Sequence, residues 1–383
     1  MDADIGVIGV GTMGSMAMWQ LARKGVSVLG FEQFGTGHDR AAAGGETRLF
    51  RTVYFEGDEY VPILKEAKKL WSQLEEESGN TLLTLNGGVM IGNPEFVEMQ
   101  NAIKSIEKFD LEHEILTPEQ AKEKYPQHHL TSDEIMIFDI NAGVIRPELS
   151  VVSAVQRAEE LGARIHRYTK IEKIVPDRDG VTIVANDREY RVGKVLITAG
   201  PWAGNLLPQL KDSLIVKRVV LSWYAPKDRN QFTIDKFPVF AHLGKDFKLT
   251  GTPTVDGSMV KASNNPSFKV VGDPNSLNKE VSIEEVRIAS HFIQEKIPGL
   301  VPHPVRATAY MDACTPDGHP IVGEVPEIEN TVFMCGFSGH GFKMSPVMGK
   351  IAADLLVKGK TSYPIDHLSP KRLINDLPIL KLK

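Results

Sequence analysis

The sequence has little cysteine, with only two among 383 residues. Two thiols cannot build a disulfide framework or a four-thiolate metal site, so both of these scaffold classes are excluded. Basic residues are not in excess either, because 44 Lys and Arg stand against 49 Asp and Glu. A net charge of −5 offers no means of neutralising many phosphates, and we therefore expect no nucleic-acid partner.

Long apolar runs are also missing. No stretch approaches the roughly 18 residues that would cross a bilayer, so we expect no membrane partner. The opening MDADIGVIGVG has no basic segment ahead of its apolar residues, which is unlike a secretory signal. With 42% hydrophobic and 24% charged residues, the composition is that of an ordinary globular protein. We expect a cytoplasmic enzyme of two or three domains.

The first 32 residues predict one strand–helix–strand unit. The spacing of apolar residues predicts a strand over 5–8, a helix over 15–24 and a second strand over 26–31, with a glycine-rich turn over 9–14. A long amphipathic helix is predicted over 59–77. Alternating strands follow the middle of the chain, and the C-terminal part returns to strand, glycine-rich turn and helix.

The glycine-rich turn has the spacing of a dinucleotide site. Gly9, Gly11 and Gly14 fit G-x-G-x-x-G, and Glu32 follows Gly14 by 18 residues, at the end of the next predicted strand. The glycines would let the backbone approach a pyrophosphate at a helix N-terminus, and the acid would accept hydrogen bonds from ribose hydroxyls. A tight turn without a ligand is the alternative.

A second signal distinguishes between dinucleotides. In VLITAGPWAG, over 195–204, an apolar strand runs into two small residues that would let the chain pass close to a cofactor. A chain that returns to its first sheet after so long an excursion is unlike a nicotinamide domain, whose six strands are contiguous. The pattern favours a flavoprotein in which a substrate domain interrupts the FAD domain.

The segment GFSGHGFK, over 336–343, combines three glycines with a Ser, a His and a Lys ahead of a predicted helix. So bare a backbone can lie against a flat ring and offer N–H groups to it, and the helix N-terminus adds partial positive charge. In isolation, the segment is equally compatible with a flexible surface loop.

Taken together, these signals resemble the D-amino-acid-oxidase-like flavoproteins, and most closely the monomeric sarcosine oxidase and N-methyltryptophan oxidase family. The segments that carry the resemblance are VIGVGTMGSMA, GGETRLFR, TPDGHPIVG and GFSGHGFK. The resemblance implies an α/β fold with a Rossmann-type FAD-binding domain and an α+β substrate domain containing a large mixed β-sheet. It also implies oxidation of a secondary amine that carries a carboxylate, with O2 as acceptor and H2O2 as product.

The resemblance implies a discontinuous arrangement of domains. We assign 1–85, 145–213 and 305–383 to the FAD-binding domain, and 86–144 and 214–304 to the substrate domain. A monomer is expected.

The resemblance implies a set of cofactor-binding residues spread over the whole FAD-binding domain. These are Gly9, Gly11, Thr12, Met13, Gly14, Glu32, Gln33, His38, Arg48, Ile171, Ala199, Gly200, Trp202, Phe337, Gly339, His340, Gly341 and Lys343.

The family's catalytic positions correspond to Lys261, Arg48, Arg51, Lys343 and His340. The resemblance implies that Arg51 and Lys343 bind the substrate carboxylate, and an Arg fork with a Lys point charge is a sound pair for that purpose. It implies that Arg48 lies near the flavin and that Lys261 activates oxygen. Without the resemblance, Arg51 and Lys343 would each be interpreted as solvated surface charges, and Lys261 as an ordinary basic strand residue.

The chain departs from the family where the flavin is attached. The family's attachment Cys, five residues before the Thr of the TPD element, corresponds to Tyr310. Cys314 is offset from that position by four residues, which is about 13 Å along a strand and too far for the same bond. We therefore predict non-covalent FAD.

The substrate pocket departs as well. Thr250, Asn265 and Asp312 stand where sarcosine-oxidising members have aromatic or imidazole side chains. With Arg51 and Lys343, they complete the predicted substrate-binding set. Smaller polar walls favour an N-substituent larger and more hydroxylated than methyl, so a deglycating fructosyl-amino-acid oxidase is an alternative. Two further alternatives are a flavin dehydrogenase with a non-oxygen acceptor and a nicotinamide-dependent dehydrogenase.

Overall fold

The computed structural model describes residues 1–40, 42–264, 269–325 and 328–374. Asn265, one of the predicted substrate-binding residues, lies outside the described residues. In chain order the strands are β1 (Ala3–Ile8), β2 (Val28–Phe31), β3 (Arg48–Phe50), β4 (Leu83–Thr84), β5 (Gly88–Gly92), β6 (His113–Leu116), β7 (Ile135–Asp139), β8 (Gly143–Ile145), β9 (Arg164–His166), β10 (Ile171–Asp177), β11 (Gly180–Ala185), β12 (Arg188–Ile197), β13 (Ile215–Tyr224), β14 (Val239–Leu243), β15 (Lys248–Thr252), β16 (Val260–Asn264), β17 (Lys269–Val270), β18 (Arg306–Cys314), β19 (Ile321–Glu324) and β20 (Thr331–Cys335). The helices are α1 (Thr12–Arg23), α2 (Val61–Ser78), α3 (Val97–Phe109), α4 (Pro118–Lys124), α5 (Pro147–Glu160), α6 (Ala203–Leu206), α7 (Ile283–Lys296), α8 (Ser345–Lys358) and α9 (Lys371–Ile374).

The first sheet contains the predicted strand–helix–strand unit. β1 pairs in parallel with β2 on one side and with β12 on the other, and β9 and β20 extend this parallel core. The helix begins three residues earlier than expected, at Thr12, so that its N-terminus directly follows the glycine-rich turn. α1 packs against α5 and α8, and Met16, Trp19 and Leu21 are completely buried in that contact. The predicted Rossmann-type fold is confirmed.

The second sheet has nine strands, in the order β17-β13-β16-β15-β14-β5-β7-β6, with β18 paired to β13. It is mixed, as predicted, because β14 and β5 are parallel while the other neighbours are antiparallel. At β18 the structure differs from the expected division, because this strand lies beyond the predicted boundary at 305 but belongs to this sheet. The division into two domains otherwise stays a prediction.

A small third sheet, β3-β8-β4, contains the RLF part of GGETRLFR as β3, and α2 packs beside it. α2 begins two residues later than predicted, because Asp58–Tyr60 forms a 3-10 turn before the helix begins at Val61. Along α2, Leu64, Ala67 and Leu74 are fully buried, as their spacing predicts. Among the described residues, none of the helices combines the length and apolarity needed to cross a membrane.

Candidate active site

One cavity of about 1240 Å³ connects the two large sheets. Its walls come from the glycine-rich turn after β1, the end of β2, the Ala199–Trp202 turn, one face of β13, β15, β16 and β18, and residues 336–343. Ordinary small-molecule pockets measure roughly 300–1,000 Å³. The cavity therefore has room for a large cofactor together with a small substrate.

The glycines of the turn have different roles. Gly9 has φ +86°, and a Cβ there would meet the backbone of residues 198–199 at 2.8 Å. Gly11 borders the cavity, and a Cβ there would meet nothing within 4 Å. Gly14 is absent from the cavity wall, although we expected it to bind the cofactor, and a Cβ there would lie 2.0 Å from the Gly9 oxygen. Its function is close packing of α1 on the turn.

The N-terminus of α1 opens on the cavity with unsatisfied polar groups. Gly11 is the N-cap residue and provides no side-chain cap, so the first N–H groups of the helix keep their hydrogen-bonding capacity. The Thr12 hydroxyl is buried without a partner. An anion placed here would be stabilised by the free N–H groups and by the helix dipole, and the pyrophosphate of a dinucleotide fits that requirement.

Glu32 follows β2 and is only 4% exposed. Its Oε2 accepts from the Val10 N–H at 3.0 Å, and its Oε1 accepts from the Phe34 N–H at 2.9 Å. His38 approaches the same carboxylate, with Nε2 3.4 Å from Oε1. These contacts fix the carboxylate at the cavity wall, and its remaining lone pairs can accept from ribose hydroxyls.

Apart from Gly14, the predicted cofactor-binding residues all border this cavity. From the first part of the chain these are Gly9, Gly11, Thr12, Met13, Glu32, Gln33, His38 and Arg48, and from the rest Ile171, Ala199, Gly200, Trp202, Phe337, Gly339, His340, Gly341 and Lys343. The donors and acceptors of this wall, together with its volume, fit FAD.

The C-terminal segment 336–343 is held by bonds from elsewhere in the chain. Gly336 and Gly339 have φ of +72° and +84°, so the segment follows a path that a residue with a side chain rarely adopts. Trp71 on α2 donates its Nε1–H to the Lys343 carbonyl at 3.0 Å. The Ser338 hydroxyl accepts from the Thr315 N–H at 3.1 Å. The segment is thus a fixed wall of the cavity.

His340 uses both ring nitrogens inside the protein. Its Nδ1 lies 2.8 Å from the Tyr54 hydroxyl and its Nε2 lies 3.0 Å from the Gly318 carbonyl. Burial lowers the pKa of His340 to about 4, so the ring is neutral, with Nε2–H donating and Nδ1 accepting. We expected a catalytic residue, but the ring has no nitrogen left to take a substrate proton, and we interpret it as a positioning residue.

Arg48 is built into the loop that precedes it. The guanidinium donates to the carbonyls of Thr47 at 2.7 Å and of Ala42 and Gly44 at 2.5 Å. Glu148 on α5 holds the same loop, because its Oε1 accepts from the Gly45 N–H at 2.7 Å. Burial lowers the pKa of Arg48, which Glu148 opposes. Arg48 thereby brings a fixed positive charge to the cavity wall.

Lys261 lies on β16 and is 6% exposed at the same wall. Its Nζ donates to the Gly45 carbonyl at 3.2 Å and to the Thr47 carbonyl. Burial, and then the charge of Arg48, hold the pKa of Lys261 well below its usual value, while Glu148 acts in the opposite direction. Arg48 and Lys261 therefore donate to carbonyls of the same loop, and Glu148 is a counter-charge to both.

Arg51 and Lys343, which are 292 positions apart in the sequence, both act electrostatically on Glu56. Arg51 donates to Oε1 of Glu56 in an ion pair, while Arg51 Nη1 and Glu56 Oε2 are buried without partners. Both cations flank the Tyr54 ring, with Arg51 Cζ at 4.9 Å and Lys343 Nζ at 5.3 Å from its centroid.

The charged groups of this cluster shift one another's pKa values. Burial alone would raise the pKa of Glu56, but Arg51 and Lys343 reverse the shift and hold it below its usual value. Burial and the neighbouring Arg51 lower the pKa of Lys343 to about 7, against the pull of Glu56. Lys343 Nζ donates to the His340 carbonyl at 2.8 Å and keeps further donors for a ligand.

Tyr310, Asp312 and Cys314 lie on β18 at the cavity wall. Tyr310 packs against the Gly44 backbone, where a Cβ would come within 2.4 Å of its ring. Burial raises the pKa of the Cys314 thiol to about 12, which disfavours the reactive thiolate. Burial also raises the pKa of Asp312 to about 6, an effect opposed by Arg48. Thr250, on β15, also lines this wall.

Several residues of the site were missed in the sequence. Glu56 and Tyr54 follow Arg51 within five residues, but nothing in their spacing predicts that they turn inward. Lys248 borders the cavity two residues before Thr250, and Lys217 pairs in register with Asp312. Since alternate strand residues share a face, the position of Thr250 could have pointed to Lys248. Lys217 reaches the site through the pairing of β13 with β18, which the spacing of residues does not predict.

A family model described as FAD dependent oxidoreductase matches residues 4–355 of the chain. Monomeric sarcosine oxidase of Streptomyces avermitilis is 34% identical over 374 residues, which are 97% of each chain. N-methyl-L-tryptophan oxidase of Escherichia coli is 30% identical over 383 residues, covering 97% of this chain and 99% of that protein.

Solved structures share the fold. The open form of NikD, described as an unusual amino acid oxidase essential for nikkomycin biosynthesis, superposes with a TM-score of 0.85 at 21% identity. The match covers 96% of this chain and 97% of that one. At this identity the likeness concerns the architecture alone.

Proposed function

This chain belongs to the FAD-dependent oxidoreductase family, and we propose that it oxidises an N-methyl or otherwise N-substituted amino acid with O2. The reaction removes two electrons and two protons from the CH–NH group, giving an imine that water hydrolyses, and O2 takes them up to form H2O2. The relatives named for sarcosine and for N-methyl-L-tryptophan act on secondary amines of this kind and match nearly the whole chain.

The single observation that carries the choice of substrate is that Arg51 and Lys343 both lie near the Tyr54 ring and both act electrostatically on the partly buried Glu56. Two cations in a site of low dielectric are stable only with an anion, and Glu56 provides it inside the protein. A substrate carboxylate can take that place, or bind beside it through the unpartnered Arg51 Nη1 and the free donors of Lys343. The pocket is thus built for an amino-acid end.

The protein's own residues then have distinct tasks. Arg51 and Lys343 hold the carboxylate and so fix the orientation of the carbon next to nitrogen. Asp312 is ionised above pH about 6, so its carboxylate can accept the proton of the substrate amine. When bound, FAD would supply the redox acceptor for the C–N oxidation.

The side chains of β18 indicate how the cofactor is held. With Tyr310 at the family's attachment position and a Cys314 thiol whose pKa is raised to about 12, we infer that FAD is held without a covalent bond. We also infer that the enzyme works as a monomer in the cytoplasm, and light scattering of the holoenzyme tests the oligomeric state.

The fructosyl-amino-acid alternative is favoured by one feature of the pocket. Thr250, Ser263, Asp312 and Lys217 bring hydrogen-bonding groups rather than aromatic rings to the cavity wall. Such a wall could bind the hydroxyls of a sugar-like N-substituent.

Peroxide formation with a panel of amines tests these assignments. The panel contains sarcosine, N-methyl amino acids, proline, pipecolate, fructosyl amino acids, and the decarboxylated counterpart of each substrate found. We expect turnover only with compounds that carry the carboxylate. Equal turnover of the decarboxylated amines contradicts the clamp, and amine oxidation without stoichiometric peroxide favours a dehydrogenase.

A further inference from the structure

Three potential metal ligands meet behind the 336–343 segment, outside the wall of the large cavity. Glu59 comes from the 3-10 turn before α2, His319 from the loop after β18, and His367 from a 3-10 turn, Asp366–Leu368, after α8. One ligand atom from each lies within 4.8 Å of the others. Each residue is half-buried, and each belongs to a different segment of the chain.

His319 is oriented by a neighbour in the manner of a metal ligand. Its Nδ1 is 2.7 Å from the Tyr60 hydroxyl, so Nε2 is the nitrogen left for another partner. The Tyr60 ring stacks on His319, with centroids 5.8 Å apart and 20° between planes. A metal-binding imidazole is normally fixed through its other nitrogen by such a bond, which sets the tautomer and ring direction.

His367 provides an independent observation. Its Nε2 is buried and has no hydrogen-bond partner. A buried polar atom without a partner costs stability, so an orphaned imidazole nitrogen within a cluster of ligands indicates a missing partner. The ring is also held in place, because it lies edge-on to Tyr60 at 5.3 Å and to His319 at 5.7 Å.

The charges around the cluster leave room for a cation. Glu59 brings a carboxylate into it, and Asp366 lies close enough to influence His367 electrostatically. The nearest guanidinium, Arg372, is already paired with Asp317 at 2.7 Å and donates to the His319 carbonyl rather than to the ring.

We propose that Glu59, His319 and His367 bind a divalent transition-metal ion of the Zn²⁺ type. Two imidazoles and one carboxylate form a common set of three protein ligands for Zn²⁺, with the remaining position open to water. Ligands about 2.1 Å from a tetrahedral ion lie about 3.4 Å apart, so modest side-chain rotation brings the three into place. The site connects the part of the chain that follows α8 to the start of α2.

Titration calorimetry with Zn²⁺ tests this on chelator-treated holoenzyme that carries no histidine tag. The expected result is saturable binding of one ion per chain. His367→Ala and Glu59→Gln should each weaken the affinity at least tenfold, and Tyr60→Phe should weaken it by roughly tenfold or more through His319. His291→Ala removes an exposed histidine elsewhere and should change nothing.

Flavin absorbance of each variant verifies that it is folded, and the Gln variant preserves the shape of the Glu59 side chain. The proposal is overturned if the wild type shows no saturable 1:1 binding, or if either ligand variant keeps the wild-type affinity. Because the readout is metal binding, the result is independent of the amine substrate.

Discussion

Replacing Arg51 by Met removes one charge of the clamp and preserves most of its packing. The guanidinium lies 4.0 Å from the centroid of the Phe55 ring and 4.9 Å from that of Tyr54, and the Met chain can cover the same rings. The Arg51 side chain is 15% exposed, so solvent screens its charge little. The main loss is therefore the charge-assisted hydrogen bond to a bound carboxylate.

That bond contributes about 1.5–3 kcal/mol, which corresponds to a roughly 10- to 150-fold weaker carboxylate affinity. We expect Arg51→Met to weaken acetate binding within this range. Glu56→Gln should act in the opposite direction at a pH low enough to keep Lys343 protonated, because it removes the internal carboxylate that competes for Arg51. That pH lies lower in the variant than in the wild type, since Glu56 raises the pKa of Lys343. The opposite signs of the two variants distinguish the clamp from a general disturbance of the pocket.

The assay is titration of the oxidised holoenzyme with acetate, followed in the visible flavin spectrum, with acetamide as the neutral ligand. Arg23→Gln is the matched control, since Arg23 also pairs with a Glu and lies over a Trp ring, but far from the cavity. Acetate affinity within twofold of wild type in Arg51→Met would refute the clamp. A similar loss of affinity for acetamide in Arg51→Met would also refute the clamp.

Three further predictions concern the same cavity. Acid or denaturant should release all FAD into the supernatant, and flavin retained on the polypeptide at Cys314 would contradict non-covalent binding. Acetate affinity should be highest below pH 7 and fall above it, because the ammonium form of Lys343 binds the anion and the pKa of Lys343 is about 7. Lys343→Met should abolish this pH dependence, which fluorescence or absorbance titration across pH 6–9 will measure. At a pH where Lys261 carries its proton, Lys261→Met should slow reoxidation by O2 more than tenfold, about 1.4 kcal/mol of barrier, because a buried ammonium stabilises superoxide. Reduction by substrate should change little in stopped-flow measurements, and equal slowing of both half-reactions would indicate a disturbed pocket instead.

The parts of the fold that the sequence predicts best are those with local causes. The turn at Gly9 needs a positive φ, and the helix after it needs close contact at Gly14, so the motif and its structure coincide. The second sheet was predicted only as a mixed sheet. Its strand order depends on pairings such as β14 with β5, between segments about 150 residues apart, and no local pattern encodes these.

The boundary at 305 shows the same limit. β18 follows α7 and precedes the TPD element, so its sequence position groups it with the C-terminal part. Its alternate residues Tyr310, Asp312 and Cys314 line the cavity, and its backbone pairs with β13 over nine residues. Tertiary pairing, rather than position along the chain, decides which sheet a strand of this kind joins.

Charge compensation explains why the clamp could be expected from a resemblance but not from the residues themselves. A buried Arg or Lys is stable only when a counter-charge lies close to it, and the sequence spacing does not show which acid that is. Glu56 serves Arg51 and Lys343, and Glu148, on another element, serves Arg48 and Lys261. Each of these four cations thus depends on an acid that it shares with a second cation, and no spacing rule connects the two cations with that acid. A catalytic cation therefore becomes recognisable once the acid that keeps it buried has been located.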